Sequence, residues 1–275
     1  MGLRIATNIP SMQAQRNLEK TGLEASKSAA RLSSGERITK SGDDAAGLAI
    51  ANKLDASVRG MQMAQRNAND GISFVQTAEG GINEVSNILI RMRELGIQAA
   101  SDTVGNDERG FINKEVQSLK SEVDRIAQVT DFNGTKLLNG EGGSQTFQIG
   151  INATEVNRID FDPGKTNVQS SALGISGLSM EDKGAALDGL GALDEAIKKV
   201  NENRSSLGAL QNRLQSTSNS LGVNTVNLAE AKSRIMDTDI AKETSSMVKN
   251  QILQNAGISV LAQANAAPNA AMKLL

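Results

Sequence analysis

The chain has 275 residues, enough for one or two domains with cores of their own, and its formal net charge of −2 gives no sign of a nucleic-acid partner. Cysteine and histidine are both absent, which excludes disulfides, zinc sites and a cysteine nucleophile, and removes the commonest general base. Only 2% of the residues are aromatic, so the core must be built from aliphatic and small side chains, a composition suited to close helix packing.

The amino-terminal segment predicts a short amphipathic helix and no targeting signal. Residues 1–7 lack the apolar run of a signal peptide, and no stretch in the chain is apolar and uncharged for long enough to span a bilayer. We therefore expect no cleaved leader and no membrane insertion. Ile5, Ile9 and Met12 form one apolar stripe, but an isolated helix of this length is marginal in water. The stripe has to pack on another segment or on another molecule.

A heptad seam that begins at Met61 gives the strongest helical signal. Alternate steps of three and four residues meet only apolar or small side chains, at Ala64, Ala68, Gly71, Val75, Ala78, Ile82, Val85, Leu89, Met92, Gly96 and Ala99. Upstream of this long helix, Asp43 and Asp44 favour a helix cap. Residues 102–106 predict a break. A second helix is predicted beyond it by a stripe of Ile112, Val116, Leu119, Val123 and Ile126.

The middle of the chain changes from helical to strand periodicity. Turn signals such as Asn133-Gly134 separate short alternating segments around Phe147 and Phe161, which predicts one or two hairpins at about 130–165. Asp160 and Asp162 resemble two positions of a calcium loop, but the distal glutamate is missing and Pro163 intervenes, so a hairpin turn is the better interpretation. Residues 165–184 are polar and contain glycines, and we expect them to be a connection back to the helices.

The carboxyl half repeats the heptad pattern from Ala186 to Ile235, with polar interruptions at Arg204, Gln211 and Lys232. Asp237 and Asp239 then favour a cap between two helices. The last segment carries a single charge over residues 251–275, that of Lys273. Its apolar residues recur at four-residue steps, at Val248, Ile252, Ala256 and Val260, with Leu261 beside them. Without a core of its own, this segment also has to pack on a partner.

These elements predict a mainly α fold, a long antiparallel helical bundle with heptad seams and a small β-hairpin region in the middle. A continuous two-chain coiled coil is the weaker interpretation, because the non-helical middle splits the heptads. The acidic pairs are the only groups suited to catalysis or metal binding, and each is explained by a cap or a turn. No phosphate-binding loop or nucleophile–base pair occurs in the sequence. We expect no enzyme activity, no cofactor and no metal.

Two blocks at opposite ends of the chain resemble bacterial flagellin. The first contains Arg31-Leu32-Ser33-Ser34-Gly35, Asp43-Asp44-Ala45-Ala46-Gly47 and Arg66-Asn67-Ala68-Asn69-Asp70-Gly71-Ile72-Ser73. The second is Ser259-Val260-Leu261-Ala262-Gln263-Ala264-Asn265, followed by Pro268 and Leu274-Leu275. The resemblance covers roughly 1–140 and 185–275, and the short middle implies a form without the outer variable domains.

The resemblance implies a structural subunit that polymerises into the hollow filament of the bacterial flagellum and is secreted by type III export. Residues 1–44 and 235–275 would pair as an inner coiled coil, and 45–234 would form the outer bundle. The implied partners are identical subunits, an export chaperone at the carboxyl-terminal segment, and the filament cap and junction proteins. A hook–filament junction protein of the same superfamily, or a secreted receptor-binding signal acting as a monomer, are the alternatives.

One surface of the long helix resembles the flagellin segment that host Toll-like receptor 5 recognises. Arg91 and Leu95 lie four residues apart in that segment, and Glu115 is the matching acidic position on the next helix. The resemblance implies receptor contact by these three residues. The competing interpretation is a solvated arginine and a peripheral packing leucine.

Overall fold

A computed structural model describes residues 7–141 and 143–272, with side chains as far as residue 266. The helices and strands follow in the order α1 (Ile9–Ser34), α2 (Ala45–Ala100), α3 (Asn106–Val129), β1 (Asp131–Phe132), β2 (Thr135–Lys136), β3 (Gln145–Gln148), β4 (Arg158–Phe161), α4 (Ser170–Leu173), α5 (Lys183–Met236) and α6 (Ile240–Met272). The predicted fold class is confirmed: the fold is mainly α, with long helices and a small antiparallel β region in the middle of the chain. Among the described residues no helix is both long enough and apolar enough to cross a bilayer.

The chain divides into two compact units. The terminal unit contains the described residues up to Ser57 and from Asn227 onward, and the central unit contains 58–226. In the terminal unit, α1 and α6 run antiparallel against each other. This pairing of the terminal helices is the one expected from the sequence.

The core of the central unit lies between α2, α3 and α5. Every predicted seam position of α2 from Ala64 to Ala99 is buried, because each heptad step returns to the same side of the helix. α5 runs antiparallel to α2, with Leu190 against Gly96 near one end and Leu214 against Gly71 farther along. The predicted break is also present, since α2 ends at Ala100 and α3 begins at Asn106.

Two hairpins cover one side of this core. β1 pairs with β2, and β3 pairs with β4 over four residues on each strand. Phe147 of β3 packs on Gly71 of α2, and Asn67 Nδ2 donates to the carbonyl oxygen of Gln148 at 3.0 Å. The interpretation of Asp162 as a turn residue agrees with the structure, because its carboxylate accepts from the Gly164 N–H at 3.0 Å.

Residues 165–184, termed the strap, connect the second hairpin to α5 as expected. The sequence analysis did not anticipate that the apolar side chains of the strap enter the core, at Val168, Leu173, Ile175, Leu178 and Met180. Its backbone is held by polar side chains of α3: Asn113 Oδ1 accepts from the Met180 N–H at 3.0 Å, and Gln117 Nε2 donates to the Leu178 carbonyl at 2.7 Å. The buried Asn113 side chain and the buried Met180 N–H thus satisfy each other away from water.

Candidate functional site

The fully buried positions in the seam between α1 and α6 are small or polar, with Leu18 and Leu261 partly buried beside them. On α1 the buried residues are Ser11, Ala14 and Ser28. Ser11 Oγ lies 2.7 Å from Asn265 Oδ1, and Asn8 Nδ2 donates to the Ala264 carbonyl at 2.8 Å. Such a seam lets the two backbones approach closely but removes little apolar area from water. The helix pair therefore gains only modest stability from its own contact.

The apolar residues of both helices lie mainly outside this seam. The predicted residues Ile9, Met12, Val248, Ile252, Ala256 and Val260 are all exposed, with Ile252 at 61% and Val260 at 56%. Leu23, Ile240, Leu253 and Ile258 are exposed as well, and the sequence patterns missed them. Leu261 differs, because it is partly buried at a seam position. Ile5 lies outside the described residues.

The exposed side chains of α6 do not form one stripe. Val248 and Ile252 lie on the side away from α1, whereas Leu253 and Val260 lie on one flank and Ile258 on the other, as their spacing at 3.6 residues per turn requires. A helix that is apolar on all sides is normally buried on all sides. α6 therefore presents a surface that only several neighbouring helices together would cover.

Aspartate carboxylates stabilise the loop between α1 and α2 and the start of α6 in the terminal unit. Asp43 accepts from the backbone N–H of Thr39 and of Lys40, each at 3.2 Å, and pairs with Lys27 Nζ at 2.9 Å. The hydrogen bond from Lys27, aided by those from Thr39 and Lys40, holds the pKa of the Asp43 carboxyl well below its usual range. Asp44 caps α2 through the Gly47 N–H, and Asp239 caps α6 through the Lys242 N–H. These aspartates are helix caps and loop anchors.

The loop after α1 also contacts the junction between α5 and α6. Gly35 ends α1 with a positive φ of 73°, a conformation that glycine adopts without strain. Its carbonyl accepts from the Thr238 N–H at 2.9 Å, and Arg37 Nη2 donates to the Ile235 carbonyl at 2.7 Å. The end of α1 is thereby fastened beside the α5–α6 junction.

Arg91 occupies a second surface, between α2 and α3 of the central unit. Its guanidinium donates to Glu115 Oε1 from Nε at 3.2 Å and from Nη2 at 2.9 Å, and to Glu94 Oε2 from Nη1 at 3.2 Å. The hydrogen bonds to Glu115 and then to Glu94 raise the pKa of Arg91 above its ordinary value. All three side chains are about half exposed, so they form a charged patch on the surface that is joined by ion pairs.

Leu95 is not part of that patch. The structure buries it in the core at 3% exposure, which does not fit the receptor contact that the resemblance implied for Leu95 and makes it a core leucine instead of a peripheral one. The reason is geometric, because Leu95 adjoins the seam positions Met92 and Gly96 on the side of α2 that faces α3. A partner at this surface would meet Arg91, Glu94 and Glu115. Within the described residues, no group of acidic side chains could hold a metal ion.

Comparison with known proteins finds the same family at both ends of the chain. Residues 5–142 match the bacterial flagellin N-terminal helical region, and residues 190–275 match the bacterial flagellin C-terminal helical region. A flagellin of Halalkalibacterium halodurans is 41% identical over 268 residues, which is 98% of each chain. The flagellar filament 33 kDa core protein of Treponema phagedenis is 41% identical over 284 aligned positions, again 98% of each chain.

A solved structure shows the same architecture. The crystal structure of a Bacillus cereus flagellin, 30% identical in sequence, superimposes with a TM-score of 0.51 over 61% of this chain and 94% of that one. Residues 143–189, which contain β3, β4 and the strap, lie between the two regions that the family models match. This middle segment has to be interpreted from its own geometry.

Proposed function

Because this chain belongs to the bacterial flagellin family and is a structural subunit of the flagellar filament, we propose that its terminal helices form the inner wall of that filament. Residues 1–44 with 235–275 are assigned to this inner layer, and 45–234 to the outer layer. The relatives favour the filament subunit over a junction protein and over a monomeric signal protein. The flagellin family is structural, and its members serve as building blocks.

The exposed apolar surface of α6 is the observation that carries this proposal. An isolated pair of helices with a polar seam and apolar outer faces is poorly stabilised in water, whereas the same helices packed side by side in a tube bury those faces. The self-assembly residues are accordingly Ile9, Met12, Val248, Ile252, Ala256 and Val260 on the outer faces, with Leu261 holding the seam.

The same apolar surface of α6 supports the proposed partners in export and at the filament ends. Before assembly, α6 needs a cover that prevents premature polymerisation, and a cytoplasmic chaperone that holds the carboxyl-terminal segment would supply it. The chain would leave the cell through the flagellar type III apparatus. The filament cap and the junction proteins would then meet the apolar faces that the last subunits at each end leave open.

Seeded growth combined with proteolysis tests this proposal. Purified monomer added to short filament fragments should give long filaments in electron micrographs. In the monomer, a protease should trim roughly the first 40 and last 40 residues while sparing the central bundle, since the polar α1–α6 seam gives little protection. In the filament the same segments should be resistant. Equal resistance of the tail in monomer and filament would contradict the burial of α6 on assembly.

A second proposed partner is host Toll-like receptor 5, at the patch of Arg91, Glu94 and Glu115. The patch has the arginine and the acidic residue of the recognised flagellin segment, and its ion pairs hold them in place before binding. Preorganised charged groups lose little conformational freedom when a partner docks. Host recognition would be a by-product of a surface that serves filament packing.

Arg91→Ala is expected to lower receptor activation by the monomer at least tenfold, since truncating an interface arginine commonly costs about 2 kcal/mol, which is roughly thirtyfold in affinity. Glu115→Ala should act in the same direction, more weakly. The melting temperature should barely move, because an exposed ion pair contributes less than about 1 kcal/mol. Arg93→Ala is the matched control: Arg93 Nε lies 2.6 Å from Asp194 Oδ1 in a comparable exposed pair on the α5 side of the helix.

A reporter-cell assay measures receptor activation by the three purified variants and tests whether the patch contacts the receptor. If Arg93→Ala reduces activation as much as Arg91→Ala does, the effect is not specific to the patch. Should Arg91→Ala instead lower the melting temperature markedly, its role is intramolecular packing.

A further inference from the structure

Methionine is the residue type of this chain that mild oxidants attack. The sequence contains nine methionines and no cysteine, tryptophan, tyrosine or histidine. Thiols and thioethers are the side chains that peroxides oxidise most readily, and only thioethers are present here. A peroxide that meets this protein therefore reacts at methionine sulfur.

The structure sorts the methionines by their access to water. Among the described side chains, Met12 is 57% exposed and Met63 is 50% exposed. The other described methionines are buried or partly buried, at Met61, Met92, Met180, Met236 and Met247. Because oxidation requires access to the sulfur, Met12 and Met63 should be oxidised first.

These two exposed methionines lie on different parts of the molecule. Met12 lies on α1, outside the seam with α6 and three residues after the exposed Ile9, on the self-assembly surface assigned above. Met63 lies on α2 in the central unit. A flexible thioether can adapt its shape to the side chains that pack on it, which suits a residue at an assembly surface. The same oxidation should therefore have different consequences at the two positions.

Oxidation converts an apolar side chain into a polar one. Hydrogen peroxide transfers one oxygen atom to the thioether sulfur: the O–O bond breaks, an S–O bond forms, and the second oxygen leaves as water. The sulfur loses two electrons and the peroxide gains them. In the free subunit, water can solvate the new oxygen of Met12, because that side chain is exposed. In an apolar inner wall the same oxygen would be buried without a hydrogen-bond donor, which is unfavourable.

We propose that Met12 is an oxidant-sensitive modification site that controls assembly. Its sulfoxide keeps a free subunit out of the filament, and a methionine sulfoxide reductase returns that subunit to the assembling pool. Once a subunit is in the filament, the neighbours that cover Met12 also shield its sulfur, so the finished polymer resists the same oxidant. The inference rests on the filament function proposed above and adds a chemical control to it.

Peroxide treatment of purified monomer, followed by seeded growth, tests this site. Peptide mass spectrometry should detect sulfoxide first at Met12 and Met63. The monomer concentration needed for growth should rise about tenfold or more, since one unsatisfied polar group is buried in each added subunit. The melting temperature of the monomer should not change. Methionine sulfoxide reductases A and B, used together because each reduces one epimer, should restore growth.

Three variants assign the effect to one sulfur atom. Met12→Leu keeps the apolar volume without a thioether, so it should grow normally both before and after peroxide. Met63→Leu is the matched control and should remain as sensitive as wild type. Met12→Gln places a polar group at this position and should grow poorly without any peroxide. In preformed filaments of the wild type, Met12 should be oxidised at least tenfold more slowly than in the monomer.

The proposal is overturned if peroxide stops the growth of Met12→Leu as fully as that of wild type. Normal growth of subunits that carry the Met12 sulfoxide would overturn it as well. If Met12→Leu does not grow even untreated, the reductase experiment on Met63→Leu decides, because recovery of growth must then follow the loss of the Met12 sulfoxide. Failure of untreated wild type to form filaments would instead count against the filament function.

Discussion

Val260→Asp is expected to abolish filament growth and to leave the thermal unfolding of the monomer unchanged. Val260 is 56% exposed on α6, so the monomer can hydrate a carboxylate at this position. In the proposed inner wall the same side chain lies among apolar helices, where an unpaired charge costs several kcal/mol. A cost of about 4 kcal/mol raises the monomer concentration needed for growth about a thousandfold.

Two further variants separate charge from lost contact area. Val260→Ala removes only apolar area and should raise the critical concentration modestly. Val223→Asp places the same carboxylate on an equally exposed valine of α5, outside the proposed inner wall, and should permit growth. Sedimentation and electron microscopy measure assembly, and circular dichroism measures monomer unfolding. Normal filaments of Val260→Asp would show that this side of α6 stays hydrated in the polymer.

The α2 seam shows what a sequence can predict reliably. A heptad pattern repeated over many turns specifies the buried side of a long helix, whatever the helix packs against. Each position from Ala64 to Ala99 is buried as predicted. Some exposed residues of α1 and α6, such as Met12 and Ile252, were predictable for a different reason, because apolar stripes on segments without a core of their own indicate a partner. The polar seam between α1 and α6 was not predictable, because residues such as Asn250 and Gln254 give no signal of burial.

The strap marks the limit of this reasoning. Its buried residues, Val168, Leu173, Ile175, Leu178 and Met180, follow neither the helical nor the strand period. Their burial depends on α3, whose Asn113 and Gln117 bind the strap backbone. Long-range contacts of this kind leave no local pattern in a single sequence.

Phe74 is another residue whose role the local sequence patterns did not predict. It adjoins the seam position Val75, and the sequence placed the aromatic residues mainly in the middle of the chain. In the structure its ring meets three others edge to face, with centroid distances of 5.5 Å to Phe132, 5.4 Å to Phe147 and 4.9 Å to Phe161. Phe132 belongs to the first hairpin, and the other two belong to the second. Phe74 thus joins both hairpins to α2.

Phe74→Ala is therefore expected to destabilise the central unit by about 3 to 5 kcal/mol. Phe74 is 5% exposed, so its truncation opens a cavity, and it also removes three aromatic pairs. For a unit of this size each kcal/mol lowers the melting temperature by about 2 to 4 °C, so a fall of roughly 10 °C should appear in circular dichroism. Phe111→Ala is the matched control, because Phe111 is 68% exposed and its loss should cost less than about 0.5 kcal/mol. Equal melting of the two variants would refute the role of Phe74.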